Sequence, residues 1–217
     1  VTDKLLNFAI ALVGRFRGDL AYSNVLTSML FASMSGNAVG DAGGVGLVQM
    51  TMMKNAGYDL DFAAGTTAAS SSIGPIIPPS AIMVLIGSIT GLSVARLFFA
   101  GIVPGVVLTL SFMMIIFVRA YFTDKGRRWP TTKVPFKDAI RTVLPVIPAL
   151  FTFVIILGSI LLGITTPTEA AVLAVWWAII LGILYKKLKL KNLWKVLEDT
   201  VSTCGIFMML VSIGSFF

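Results

Sequence analysis

Apolar residues run along this chain in long blocks separated by short polar stretches, and the block lengths set the first expectations. Residues 3–14 read as an amphipathic helix, with Leu5, Leu6, Phe8, Ala9, Leu12 and Val13 on one broad apolar face; 1–19 is expected to lie at an interface. It ends at Gly14-Arg15-Phe16-Arg17-Gly18, whose arginines suit a cytoplasmic membrane surface. Two apolar segments, 20–34 and 38–53, then flank Met34-Ser35-Gly36-Asn37. As helices they would be about 22 to 24 Å long, short of the roughly 30 Å of bilayer hydrocarbon, so 20–53 is expected to be a re-entrant hairpin.

After the polar turn Lys54–Asp59, in which Gly57 suits a helix C-terminus, residues 60–91 would make one helix of about 48 Å, too long for a bilayer. Ser70-Ser71-Ser72-Ile73-Gly74-Pro75-Ile76-Ile77-Pro78-Pro79-Ser80 interrupts it. Three of these residues are prolines, which lack an N–H and disfavour helix in the residue before them. Residues 60–96 are therefore expected to be a transmembrane helix broken at Gly74–Pro79. Residues 97–118 suit a full span, and 119–142 a basic loop. Val143–Ile164 suits a second span, and Thr166-Pro167-Thr168-Glu169 a capping box opening a helix over Ala170–Tyr185. Lys186–Lys191 forms a second basic loop, Asn192–Thr200 a short interfacial helix, and Val201–Phe217 the start of one more span. The fold class is an all-α polytopic membrane protein.

Composition agrees with this reading. Of 217 residues, 57% are hydrophobic and 12% charged, and the mean hydropathy is +0.93, outside the balance of a soluble domain. The excess of 17 Lys+Arg over 10 Asp+Glu gathers in the two loops at 119–141 and 186–195, where it sets orientation instead of binding nucleic acid. Both loops, with Arg15, Arg17 and Lys54, are then expected in the cytoplasm. The chain has no His and only Cys204, which excludes internal disulfides and Cys/His metal sites. It begins at Val1 and ends inside an apolar run, as a piece of a longer protein would.

Chemistry is expected at the two non-helical stretches. Irregular backbone at membrane depth is tolerated where it is buried in protein or lines a cavity. Ser35, Asn37, Ser70, Ser71 and Ser72 offer side-chain oxygens there, and the backbone around Gly36 and Gly74 offers carbonyls. Neutral oxygens suit Na⁺, while half-helix N-termini suit a carboxylate. Small residues at Ser28, Ser33, Gly40, Gly43, Gly44 and Gly46 are read as allowing close helix packing. Asp41, inside an apolar segment, has two open readings: an ion-path carboxylate, or one satisfied by first-turn N–H groups. Glu169 reads as a helix cap, and Trp176 and Trp177 as lipid or packing residues.

The stretches Leu30-Phe31-Ala32-Ser33-Met34-Ser35-Gly36-Asn37-Ala38-Val39-Gly40-Asp41, Thr67–Ser80 and Thr166-Pro167-Thr168-Glu169-Ala170-Ala171 resemble, in order and spacing, the large membrane subunit of TRAP (tripartite ATP-independent periplasmic) transporters. The resemblance implies sodium-driven import of organic anions, such as dicarboxylates or sialic acids, across the bacterial inner membrane. It implies no cofactor beyond the coupling ion Na⁺. The implied partners are a small membrane subunit and a periplasmic solute-binding protein. The implied fold has two inverted repeats working as an elevator, of which 143–217 would be the truncated start of the second. By the same resemblance, Ser35, Gly36, Asn37, Ser71, Ser72 and Gly74 would bind sodium, and Ser35, Asn37, Ser70, Pro78 and Pro79 would face the substrate. Asn37 stands where that family commonly has a small residue such as Ser. Holding half of the site, the chain is not expected to transport alone. The alternatives are a sodium-coupled carboxylate transporter of the same superfamily without a binding protein, and a non-transporting scaffold subunit. An intramembrane protease is disfavoured, since Asp41 has no second carboxylate or His to work with.

Overall fold

Glycine and proline set where the helices of this chain stop. The computed structural model describes residues 2–124, 126, 129, 131, 146–185 and 190–214, and every regular element among them is helical. In chain order these are α1 (Thr2–Val13), α2 (Asp19–Ser35), α3 (Ala38–Asp41), a π-helical segment (Ala42–Gly46), α4 (Leu47–Asn55), α5 (Leu60–Ser71), α6 (Ala81–Thr90) and α7 (Val94–Phe122). They are followed by α8 (Ile147–Leu161), α9 (Pro167–Leu184) and α10 (Leu190–Gly214). Three helices, Val94–Phe122, Pro167–Leu184 and Leu193–Ile213 within α10, are long and apolar enough to cross a membrane. The protein is an all-α polytopic membrane protein.

The chain divides into two compact units, Val1–Ala170 and Ala171–Phe217. In the first, α2 packs against the α3–π–α4 rod, and the two are joined only by Gly36-Asn37. The rod ends in a Schellman motif around Gly57 (φ 86°): Gly57 N–H donates to Lys54 O at 3.1 Å and Tyr58 N–H to Met53 O at 3.1 Å. α5 packs on both α2 and α4, and α6 returns against α7. The helix stops at Ser71, before Gly74, because Ser72, Ile73 and Gly74 fold into tight turns with N–H groups on Ala69, Ser70 and Ser71 carbonyls.

Two apolar clusters anchor this unit. One gathers Tyr58, Ile73, Ile77, Ile116, Ala120 and Trp129 with residues of α2. Trp129 stacks on Tyr58 (centroids 4.8 Å) and Phe62 (4.6 Å), the Arg119 guanidinium lies 5.5 Å from the Phe62 ring, and that of Arg17 lies 5.6 Å from Tyr121. The α1–α2 link, the α4–α5 turn and the end of α7 thus meet at one end, as expected if they share one side of a membrane. Burial, then the Asp19 charge, raises the pKa of the Tyr58 phenol above its usual value, so it stays neutral. The second cluster joins Phe98 to Leu157, Ile160 and Ala170, with Met83 and Val84 of α6 against it.

The capping box forms as its sequence suggests. Thr166 N–H and Oγ1–H donate to Glu169 Oε2 at 2.7 and 2.9 Å, and Glu169 N–H donates back to Thr166 Oγ1 at 3.4 Å.

In the second unit one expectation fails. Asn192–Thr200 and Val201 onward are not two elements but one helix, Leu190–Gly214. No proline interrupts 190–210 and Gly205 alone costs only about 1 kcal/mol, so the i→i+4 ladder continues through the polar residues. Most of the basic loop at 119–142, the start of the 143–164 span, Lys186–Lys189 and 215–217 lie outside the described residues.

Candidate functional site

The tip Gly36-Asn37 and the break 72–80, distant in sequence, meet. Gly36 has φ +57°, and a Cβ there would strike the Pro79 carbonyl oxygen and come within 3.2 Å of Ser80 Cα and 3.3 Å of Ala81 N. Gly74 is equally close from the other side: its Cβ would lie 3.3 Å from Ala38 N and 3.4 Å from Asn37 C. Only glycine allows this approach at Gly36, where both the left-handed backbone and the neighbouring chain exclude a side chain. The N-termini of two helices, at Ala38 and Ala81, therefore converge on one place. α7 cradles the break from behind, since a Cβ on Gly101 would meet Ile76 O at 2.6 Å and one on Gly105 would strike the Ile77 side chain.

Asn37 is the N-cap of α3, its Oδ1 accepting from Val39 N–H at 3.0 Å. Ser80 caps α6, accepting from Met83 N–H at 3.3 Å and donating to Pro75 O at 2.7 Å. That second bond also ties the two ends of the break together. Ser80→Ala is expected to cost about 1 kcal/mol of stability, the usual worth of an N-cap; a thermal unfolding shift of the full-length subunit reads it, and no shift would show that the break is held by packing alone.

The remaining expected residues separate into two sets. Ser35 Oγ is buried beside the tip with no hydrogen-bond partner. Gly74 and Pro78 are buried, Pro79 is half-buried, and Ser72 is exposed with its hydroxyl donating to Ala69 O at 2.6 Å. Ser70 and Ser71 instead face the interior between α2 and α5. Ser71 Oγ–H donates to Thr67 O at 2.8 Å. Ser70 Oγ lies 3.0 Å from Ser28 Oγ, 3.4 Å from Asn24 Oδ1 and 3.1 Å from Thr67 O. Asn24 Nδ2–H donates to Thr67 Oγ1 at 2.7 Å. This polar seam was missed in the sequence. Its signal was present: Ser23, Asn24, Thr27 and Ser28 on α2, and Thr67, Ser70 and Ser71 on α5, recur at helical spacing.

Asp41 is fully buried, and the hydroxyls of Ser28 and Ser71 stand beside its carboxylate. The reading in which first-turn N–H groups satisfy it is not what forms: no N–H of that turn donates to either carboxylate oxygen, and the Val39 N–H goes to Asn37 Oδ1 instead. The packing reading of the glycines also divides. Gly46 meets Thr67, whose Cγ2 would be 2.5 Å from an added Cβ, whereas Gly43 and Gly44 face open space and Gly40 has only Asn37 Nδ2 at 3.9 Å. An apolar groove of about 340 Å³ lies between α5 and α7, lined by Val25, Phe62, Ala69, Phe112 and Ile116; no residue of the tip or break borders it.

The whole chain, residues 1–217, matches the family described as the DctM component of tripartite ATP-independent periplasmic transporters. It is 38% identical over 213 residues to the sialic acid TRAP transporter large permease protein SiaM of Vibrio cholerae, covering 97% of this chain and 49% of that protein. It is 37% identical over 219 residues to the sialic acid TRAP transporter permease protein SiaT of Haemophilus influenzae, covering 100% of this chain and 35% of that protein. Identity to the C4-dicarboxylate TRAP transporter large permease protein DctM of Pseudomonas aeruginosa is 35% over 214 residues, covering 98% of this chain and 49% of that protein. The chain thus spans a third to a half of the length of these relatives.

Proposed function

The chain belongs to the DctM component family of tripartite ATP-independent periplasmic transporters, and from that premise we propose that it supplies one half of a sodium and organic-anion site in the large membrane subunit of a symporter. The observation that carries this is the convergence of the two helix N-termini where Gly36 meets Pro79 and Gly74 meets Ala38. Helix N-termini offer unpaired N–H groups and positive dipole ends to a carboxylate. The unwound carbonyls around Gly36 and Gly74, with Ser35 Oγ, offer neutral oxygens to Na⁺.

Sialic acids and C4-dicarboxylates, named in the relatives, are both carboxylates, which supports an organic anion as cargo. A small membrane subunit and a periplasmic binding protein would complete the system in the bacterial inner membrane. The hairpin and the broken helix would move together, because glycine contacts lock one against the other.

The test is uptake by the full-length subunit with its partners in proteoliposomes. Replacing sodium by choline should stop uptake. Asn37→Ala should reduce it roughly tenfold, equivalent to about 1.4 kcal/mol, while Asn37→Ser, which keeps a cap, should retain most of it. Uptake indifferent to sodium would refute the coupling, and full uptake by Asn37→Ala would remove the tip side chain from the site.

A further inference from the structure

The two ends of the apolar groove between α5 and α7 differ in chemistry. Along its length the walls are Phe112 and Ile116 of α7 and the small residues Gly65 and Ala69 of α5. At one end stand Asp61, in the first turn of α5, and Arg119, in the last turn of α7, both exposed. This is the end where Trp129 stacks on Phe62 and Arg17 lies against Tyr121, the level of one membrane surface. Each charge suits the dipole of its own helix terminus, but that does not explain why both open onto one apolar groove. The Arg119 guanidinium lies over the Phe62 ring at 5.5 Å, so one planar face is taken and its N–H edge stays available to a bidentate acceptor such as phosphate. A phosphate seated there leaves Asp61 to be matched by a cation on the same headgroup.

Size decides between a lipid and a helix. From Asp61 to Ala69 the groove runs about 12 Å at 1.5 Å per residue, within one leaflet of a hydrocarbon layer roughly 30 Å thick. Spread over that length, its 340 Å³ gives a cross-section of about 28 Å², against roughly 80 Å² for a helix 10 Å across. A single extended hydrocarbon chain fits, and a transmembrane helix of a partner subunit does not. Gly65 keeps the slot open, since nothing lies within 4 Å of a Cβ added there.

We propose that this groove holds one acyl chain of a phosphatidylethanolamine-type phospholipid, with its phosphate on Arg119 and its primary ammonium on Asp61. The paired charges select among lipids. An anionic glycerol headgroup leaves Asp61 unmatched, and a choline headgroup offers it no N–H. Seated in the slot, the chain joins the first arm of the broken helix to α7 without touching the tip or the break. The site requires only that the protein spans a bilayer and is independent of sodium coupling.

Lipid retention by the purified full-length subunit, read by native mass spectrometry with phosphatidylethanolamine, phosphatidylglycerol and phosphatidylcholine in equal amounts, tests this. The unaltered protein should retain phosphatidylethanolamine roughly tenfold over either competitor. Asp61→Asn, at an exposed position, should erase that preference, and Gly65→Leu, which fills the slot, should retain one phosphatidylethanolamine fewer. Equal retention of the three lipids by the unaltered protein would overturn the proposal, as would an unchanged preference in Asp61→Asn or unchanged retention in Gly65→Leu. Should Gly65→Leu not fold, Asp61→Asn decides alone. In proteoliposomes, a photoactivatable phosphatidylethanolamine should label peptides of α5 or α7 with the small membrane subunit present. Labelling that disappears when that subunit is added would mean that a protein covers the groove, and would sink the lipid assignment.

Discussion

Gly36→Ala is expected to abolish transport, lowering uptake by roughly two orders of magnitude, a loss of about 3 kcal/mol at the site. Two costs combine. A side chain at φ +57° carries about 1–2 kcal/mol of backbone strain. The added carbon would also strike the Pro79 carbonyl and crowd Ser80 Cα, and both are backbone atoms of a proline-fixed segment that cannot rotate aside. The tip and the break would have to separate, and with them the two converging helix N-termini. Gly57→Ala is the control. Its φ is +86°, but nothing lies within 4 Å of an added Cβ, so it should cost only the backbone strain of about 1–2 kcal/mol and leave uptake near its original rate. If the two variants behave alike in uptake and melting, contact between tip and break does not govern function.

Asn24→Leu should destabilise the protein by about 1–3 kcal/mol without touching the tip. Leucine matches the amide in size but offers no hydrogen bond, so Thr67 Oγ1 loses its donor at 2.7 Å and Ser70 loses the Asn24 acceptor at 3.4 Å. Both are buried between α2 and α5, where no water replaces what is lost. Thr67 Oγ1–H still reaches Ala63 O at 2.8 Å, which keeps the penalty from being larger. A cycle with Thr67→Val, read by unfolding of the full-length subunit, should give a coupling of about 0.6 kcal/mol, the average for hydrogen bonds between membrane helices, and no more than about 1.7. Zero coupling would mean that the seam is held by shape alone.

Much of the secondary structure could be read directly, because in lipid each element must satisfy its own backbone and its ends are marked by residues that cannot continue a helix. Gly57 closes α4, the Pro75–Pro79 stretch opens α5 from α6, and Thr166–Glu169 starts α9. Where no such marker stands, reading failed. The boundary expected between Thr200 and Val201 carries no such marker, and the helix runs through it. The π-helical segment after Asp41 left no sign beyond a run of glycines, which equally suggested packing that Gly43 and Gly44 do not make.

The sequence by itself determined the membrane class, the family, and the two places where helices had to break, since these follow from apolar length, proline and motif spacing. Tertiary structure alone decided which oxygens share a site. Helical periodicity places Asn24 and Ser28 on one stripe and Thr67, Ser70 and Ser71 on another, but says nothing of which stripe faces which. Packing of α5 against α2 drew Ser70 and Ser71 away from the tip into the seam and set Asp41 beside Ser28 and Ser71. Gly36 against Pro79 fixed the tip on the break. Burial supplies the reason: a polar group removed from water takes its role from whichever neighbour satisfies it, and that neighbour is chosen by the fold.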